Sequence, residues 1–231
     1  MSGDIAVWWR DDDAGRFDAR LDRLIELAAD SCRAIGLAVV PAWLDAKTER
    51  LLRSAPHVQV LQHGWAHLDH AVSGQKSIEL GGTADPSEYL IHLKQGRARL
   101  EGAFGDRFVP VIVPPWNRID EAFLSSLARL GFRGISTYAD DARGTAHRLI
   151  QVNAHIDLID WRGTRRMKPL AQLVDELEIR LAHPERKVVG LLSHHLNMNL
   201  DEMARLRQLL RHVDRTGQCR WTNPADLFLS A

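Results

Sequence analysis

The chain has 231 residues, 45% of them apolar and 26% charged, a composition that excludes disorder and leaves room for one large domain or two small ones. Thirty Lys and Arg balance thirty Asp and Glu, so no global basic field would gather nucleic acid or an anionic membrane. The longest apolar runs, such as 37–41 and 109–113, fall far short of the roughly 18 residues needed to span a bilayer. The start lacks a basic stretch followed by an apolar one, and a cytoplasmic location is expected. Two cysteines, Cys32 and Cys219, form neither a disulfide framework nor a metal-binding pair, and both are expected to be reduced, structural thiols.

In chain order, Ile5–Trp9 has the length and composition of a strand that stops at an acidic loop, Arg10-Asp11-Asp12-Asp13-Ala14-Gly15. Apolar residues recur at helical spacing from Phe17 to Ile35, with Gly36 as the stop. A strand at Leu37–Val40, a helix at Ala46–Arg53 and a strand at His57–Leu61 follow. Residues 70–82 contain Gly and Ser without periodicity and are the expected mobile loop. Asp85 then caps a helix that opens on Pro86, and Phe108–Val113 reads as a buried strand. The pattern next predicts a helix at Asp120–Leu130 and strands at Gly134–Thr137, Leu149–Val152 and Ile156–Leu158. A helix at Leu170–Leu181, a strand at Lys187–Leu192, a helix at Leu200–Val213, a strand at Gln218–Trp221 and a short helix after Pro224 complete the series.

About seven β–α alternations without a polar linker predict a single α/β domain, residues 1–231, with a mainly parallel sheet. A closed or nearly closed barrel fits the count, with an open doubly wound sheet as the alternative.

The unusual polar residues fall just after predicted strands, where α/β folds place their ligand sites. Asp11-Asp12-Asp13 brings three carboxylates together, a repulsion that a cation or hydrogen bonds must offset; aspartates also cap helices. His63 and His67 would share one face of a helical turn, close enough to grip one metal ion, although such pairs also occur as ordinary core histidines. Pro114-Pro115-Trp116-Asn117 forces a rigid turn. Asp157 and Asp160-Trp161 cluster around one strand, and Ser193-His194-His195 ends another. No dinucleotide, phosphate-loop or serine-hydrolase signature is present. One carboxylate and two imidazoles are a common ligand set for a divalent metal with open positions.

The ordered set Arg-Asp-Asp-Asp-Ala-Gly, His-x-x-x-His, Pro-Pro-Trp, Asp-Trp and Leu-Ser-His resembles the polysaccharide deacetylases with a NodB-homology domain, carbohydrate esterase family four. The resemblance runs from Asp12 to His194. It implies a distorted (β/α)7 barrel, with Asp12 as general base and Asp13, His63 and His67 as metal ligands. A shift of the first motif onto Asp11 and Asp12 stays open. Gly64 stands where the second motif has a hydroxyl residue, and Val113 where the third has an arginine, whose role is then either vacant or taken by another residue such as Arg10 or Arg118. The resemblance makes the Trp116 N–H the oxyanion donor and His194 the general acid, oriented by a carboxylate such as Asp160, with His195 one position away. Trp116 and Trp65 are candidate sugar platforms.

The implied reaction is removal of an N-acetyl group from a sugar or glycoconjugate by metal-activated water, with Zn2+ expected and Co2+, Ni2+ or Mn2+ compatible. The expected partner is that substrate, with neither nucleic acid nor membrane. The competing readings are a metal-free hydrolase of another non-peptide C–N bond on the same barrel, and a carbohydrate-binding descendant without activity.

Overall fold

Strand β1 (Ile5–Ala14) lies at the centre of the sheet and sets its geometry. In the computed structural model, which describes residues 5–183 and 187–229, β1 is followed by α1 (Ala19–Asp30), β2 (Ile35–Val39), α2 (Ala46–Ser54) and β3 (Val58–His63). Next come α3 (Pro86–Phe104), β4 (Phe108–Val113), α4 (Glu121–Leu124), β5 (Gly134–Ile135), β6 (Ile150–Gln151) and β7 (Ile156–Asp157). The chain finishes with α5 (Leu170–Leu181), β8 (Val188–Ser193), α6 (Leu200–Arg215), β9 (Cys219–Trp221) and α7 (Pro224–Leu229).

Every strand pairing is parallel. The sheet order is β6-β5-β4-β3-β2-β1-β8-β7, with β9 joining β1. The edge strands β6 and β7 are joined through residues 152–155 alone, so the sheet curls almost into a ring. The result is the distorted barrel expected from the alternation rather than an open doubly wound sheet. Among the described residues no helix is long and apolar enough to cross a membrane.

Side-chain alternation along β1 divides the core. Trp8 packs with Ala38, Leu61, Val109, Val111, Val113 and Phe228 inside the barrel, where Phe228 meets the Trp8 ring edge-on at 6.0 Å between centroids. Helix α7 delivers Phe228 into that interior, and Gly134 leaves it room, since a Cβ there would lie 2.5 Å from Phe228 Cδ1. Val7 and Trp9 point the other way, into the core shared with α1, α5 and α6. Two residues further, the same alternation sends Arg10 and Asp12 inward and Asp11 toward the helices.

Several boundaries differ from the expected ones, each for a local reason. β1 continues through the three aspartates instead of stopping before them, because β8 pairs with it as far as Asp11↔Ser193 and β2 takes it on to Ala14↔Val39. β3 runs on to His63, so His63 and His67 share no helical turn. The helix predicted over 120–130 breaks after Leu124 and resumes as a short 3-10 turn at Ala128–Leu130. The segment 70–82 is anchored: Glu79 and Leu80 are fully buried, and Leu80 bridges Ile119. Cys32 lies just past α1, left-handed and exposed, rather than inside a helix. Asp85 does cap α3 with Pro86 in its first turn, and α5 has the expected bounds.

Candidate active site

The carboxyl ends of β1, β3, β4, β7 and β8 converge on one opening. Asp13 leaves strand geometry at φ 71°, where the β1–β2 register shifts between Asp11 and Ala14. This turns its carboxylate toward the end of β3. His67 reaches the same point from the following loop with φ 57°. Asp13 Oδ1 stands 3.2 Å from both His63 Nε2 and His67 Nε2, and the three ligand atoms lie within 4.8 Å of one another. A tetrahedral ion about 2.0–2.1 Å from its ligands spaces them roughly 3.3 Å apart, so the donor set fits a divalent cation.

The tautomer fits as well. His63 Nδ1 donates to the Val113 carbonyl at 2.9 Å, which leaves Nε2 as the free donor of its lone pair. His63 is buried, whereas Asp13 and His67 are partly exposed, so the trio opens to solvent on one side. Burial pushes the Asp13 carboxyl up, but hydrogen bonds from His63 and His67 outweigh it and hold the group well below the usual range. For His63 burial works downward, and the bond to Asp13 with the charges of Asp12 and Asp13 raises the imidazole above its ordinary value.

Asp12 is buried beside this trio and is held by Arg10. Arg10 Nη2 donates to Asp12 Oδ2 at 3.0 Å, and Nε faces Oδ1 at 2.9 Å as an ion pair. The same guanidinium donates to Ser136 Oγ at 2.6 Å, to the Thr137 carbonyl at 3.2 Å and to Asn117 Oδ1 at 2.6 Å. A fully buried arginine is thereby paired and hydrogen-bonded, as burial of a charge requires. Arg10, and not Arg118, is thus the guanidinium on Asp12, because i and i+2 share a strand face. Arg118 is spent elsewhere, on the Ser77 carbonyl at 2.7 Å.

Trp116 adopts φ 55° and ψ 15° and lays its ring 4.3 Å from that of His67. Among the described residues its backbone N–H has no hydrogen-bond partner. Trp65 is on the other side of the loop, stacked on His92 at 5.2 Å, and lines a cleft of about 370 Å³ with Tyr89 and His70, away from the trio.

His194 follows β8 and keeps slight exposure at 8%. Its Nδ1 lies 4.0 Å from Asp157 Oδ1, and the Trp161 ring meets it edge-on at 4.8 Å. Asp157, rather than Asp160, is thus the carboxylate beside His194. Asp160 instead accepts from the Gly163 and Thr164 N–H groups at 3.0 and 3.1 Å, closing the turn that follows β7. Burial pushes the Asp157 carboxyl up, against the lowering influence of His194 and of bonds from Ile159 and Trp161. Asp11 and His195 do not reach the opening; both are fully buried and bonded to each other, so the register that places Asp12, Asp13 and His194 at the site is the one the fold adopts.

Spacing gives no sign of Glu79. Its buried carboxylate accepts from the N–H groups of Trp65 at 3.1 Å, Ala66 at 2.7 Å and Leu68 at 3.4 Å, which holds the loop between the two histidines. Gly64 has φ 53°, and a Cβ there would lie 1.8 Å from Glu79 Oε2 and 2.7 Å from Pro115 Cδ. Glu79 and Pro115 thus leave no room for a side chain at position 64.

No family model and no curated protein sequence matches the chain. Solved structures do. A protein from Mycobacterium smegmatis assigned as a polysaccharide deacetylase superposes with TM-score 0.69 at 18% identity, over 96% of this chain and 88% of that one. The chain has the polysaccharide deacetylase fold. A family 4 acetyl xylan esterase from Clostridium thermocellum, solved with a cobalt ion, matches with TM-score 0.63 at 11% identity over 96% and 90%. A carbohydrate esterase family four pseudoenzyme from Bacillus anthracis matches with TM-score 0.63 at 13% identity over 99% and 66%.

Two outcomes follow from this geometry. Gly64→Ser, which restores the hydroxyl type of the motif, should cost about 2–3 kcal/mol through strain and overpacking and weaken zinc binding at least about tenfold; titration calorimetry showing unchanged affinity would contradict the role of Glu79 in holding the loop. For the metal-free chain, the Asp13–His63 pair contributes fully below the ordinary histidine value of about 6.5 and is lost as pH rises through the raised value in the fold. Zinc needs the neutral imidazole, so the zinc-induced rise in Tm should grow across that same window. Melts from about pH 5.5 to 8.5 with chelator and with zinc check this, and a zinc shift independent of pH would contradict it.

Proposed function

We propose that the chain is a metal-dependent hydrolase that removes an N-acetyl group from a sugar or glycoconjugate. The observation that carries this reading is the division of two adjacent carboxylates: Asp13 faces two imidazoles, while Asp12 is turned aside onto Arg10. A divalent cation held by Asp13, His63 and His67 would acidify a water molecule and polarise the substrate carbonyl. Zinc suits one oxygen and two nitrogen donors, and cobalt, nickel or manganese would also be accepted.

The remaining steps belong to the chain's own groups. Asp12, held in place by Arg10, takes the proton of the attacking water. The Trp116 N–H donates to the oxygen on which charge develops. Protonated His194, with Asp157 beside it, delivers a proton to the leaving amine. Trp116 and Trp161 flank the opening on either side and offer faces for a sugar ring.

A binding domain without activity is the second reading, and the pseudoenzyme that shares this fold gives it weight. Against it, base, ligand trio and acid histidine are all assembled at one opening. Asp12→Asn separates the two. For an enzyme it should lower acetate release from N-acetylglucosamine oligomers by about 10²–10⁴-fold while metal affinity changes little. Acetate release by Asp12→Asn at the wild-type rate would sink the assignment of Asp12 as base.

A further inference from the structure

Asp11, Ser193 and His195 are all fully buried, yet none has a place in the chemistry above. Strand alternation points Asp11 away from the barrel interior, toward the core that contains Trp9. There its carboxylate takes three donors. Oδ2 accepts from Ser193 Oγ at 2.6 Å and from the His195 backbone N–H at 3.0 Å. Oδ1 accepts from His195 Nδ1 at 2.5 Å. Trp9 Nε1 in turn donates to Ser193 Oγ at 2.9 Å.

The arrangement is a bracket. The residue before His194 and the residue after it are both tied to one carboxylate, and that carboxylate is the direct chain neighbour of Asp12 and next but one to Asp13. The backbone between Ser193 and His195 therefore has no freedom to slide along β1. Its register, Asp11↔Ser193, is fixed by side chains as well as by the sheet. His194, the one residue of the three with access to the opening, is carried on this bracket, and its own Nδ1 is held only loosely by Asp157 at 4.0 Å.

We propose that Asp11 and His195 are a positioning pair that sets the acid histidine His194 at its working distance from Asp12 and Asp13. The inference rests on the deacetylase reading. Its consequence is selective. Expulsion of an amine needs the proton from His194, whereas a nitrophenolate departs without one. Displacing His194 therefore harms amide cleavage and spares cleavage of an activated aryl ester at the same site.

The test compares zinc-loaded wild type with Ser193→Ala, His195→Leu and His195→Asn, on N-acetylglucosamine oligomers and on 4-nitrophenyl acetate. Asparagine places an amide N–H where Nδ1 stands and so keeps a donor to Asp11; Ser193→Ala removes one hydroxyl and guards against a folding failure of His195→Leu. Ser193→Ala and His195→Leu should lower kcat on the amide about 10–100-fold with KM within about twofold. Both should keep the ester rate within about threefold of wild type, and His195→Asn should recover most of the amide rate. Equal losses on the two substrates, or no loss on the amide, would overturn the positioning pair while leaving the deacetylase reading intact. A wild type that releases acetate from neither substrate would overturn that reading and this one with it. Crystal structures of metal-free wild type and Ser193→Ala give a readout independent of turnover: the His194 ring should shift relative to Asp13 in the variant, and an unmoved ring would also overturn the proposal.

Discussion

Three adjacent aspartates at the end of a buried strand are tolerable only if each finds its own counter-group, and the carboxyl end of the barrel is organised around that requirement. Their mutual repulsion in a medium of low dielectric would otherwise cost several kcal/mol. Asp11 is satisfied by Ser193 and His195 on the helix side. Asp12 is satisfied by Arg10 on the interior side. Asp13, turned by a left-handed φ, meets His63 and His67. Alternation along β1 separates the first two, and the break in strand geometry releases the third. Three identical residues thus acquire three different surroundings, and with them the means for three different roles.

Around that strand, His63 and the loop that carries His67 are oriented by groups with no other evident task. Val113 supplies the carbonyl that fixes the His63 tautomer. Glu79 reaches into the loop from 15 residues after Gly64, and Gly64 is bare so that it can. Arg10, two residues before Asp12 on the same strand, grips its carboxylate.

Much of this is legible in the sequence. The β–α alternation, the bounds of β4 and α5, the cap at Asp85 and the grouping of Asp13, His63 and His67 all follow from periodicity, capping chemistry and motif order. The failures share a cause: they depend on contacts between residues distant in the chain. That β1 continues through the aspartates is decided by pairing with β8 at Asp11, some 180 residues away, and with β2 at Ala14. That Asp157 rather than Asp160 accompanies His194 depends on which carboxylate the turn at Gly163 and Thr164 consumes. Glu79 lies in an aperiodic segment, and its importance is visible only once its three N–H partners are known. Arg10 and Arg118 compete for the same place in the sequence, and strand alternation favours Arg10 only when β1 is known to extend that far.

The proposed chemistry rests on one division: Asp13, His63 and His67 are gathered as a candidate metal site, and Arg10 holds Asp12 apart from them. The most direct measurement is the metal content of purified chain after equilibration with zinc and extensive dialysis, for wild type, Asp12→Asn and the His63→Ala/His67→Ala double variant. About one ion per chain is expected in the first two and almost none in the third. Equal zinc in all three, or none in the wild type, would contradict it.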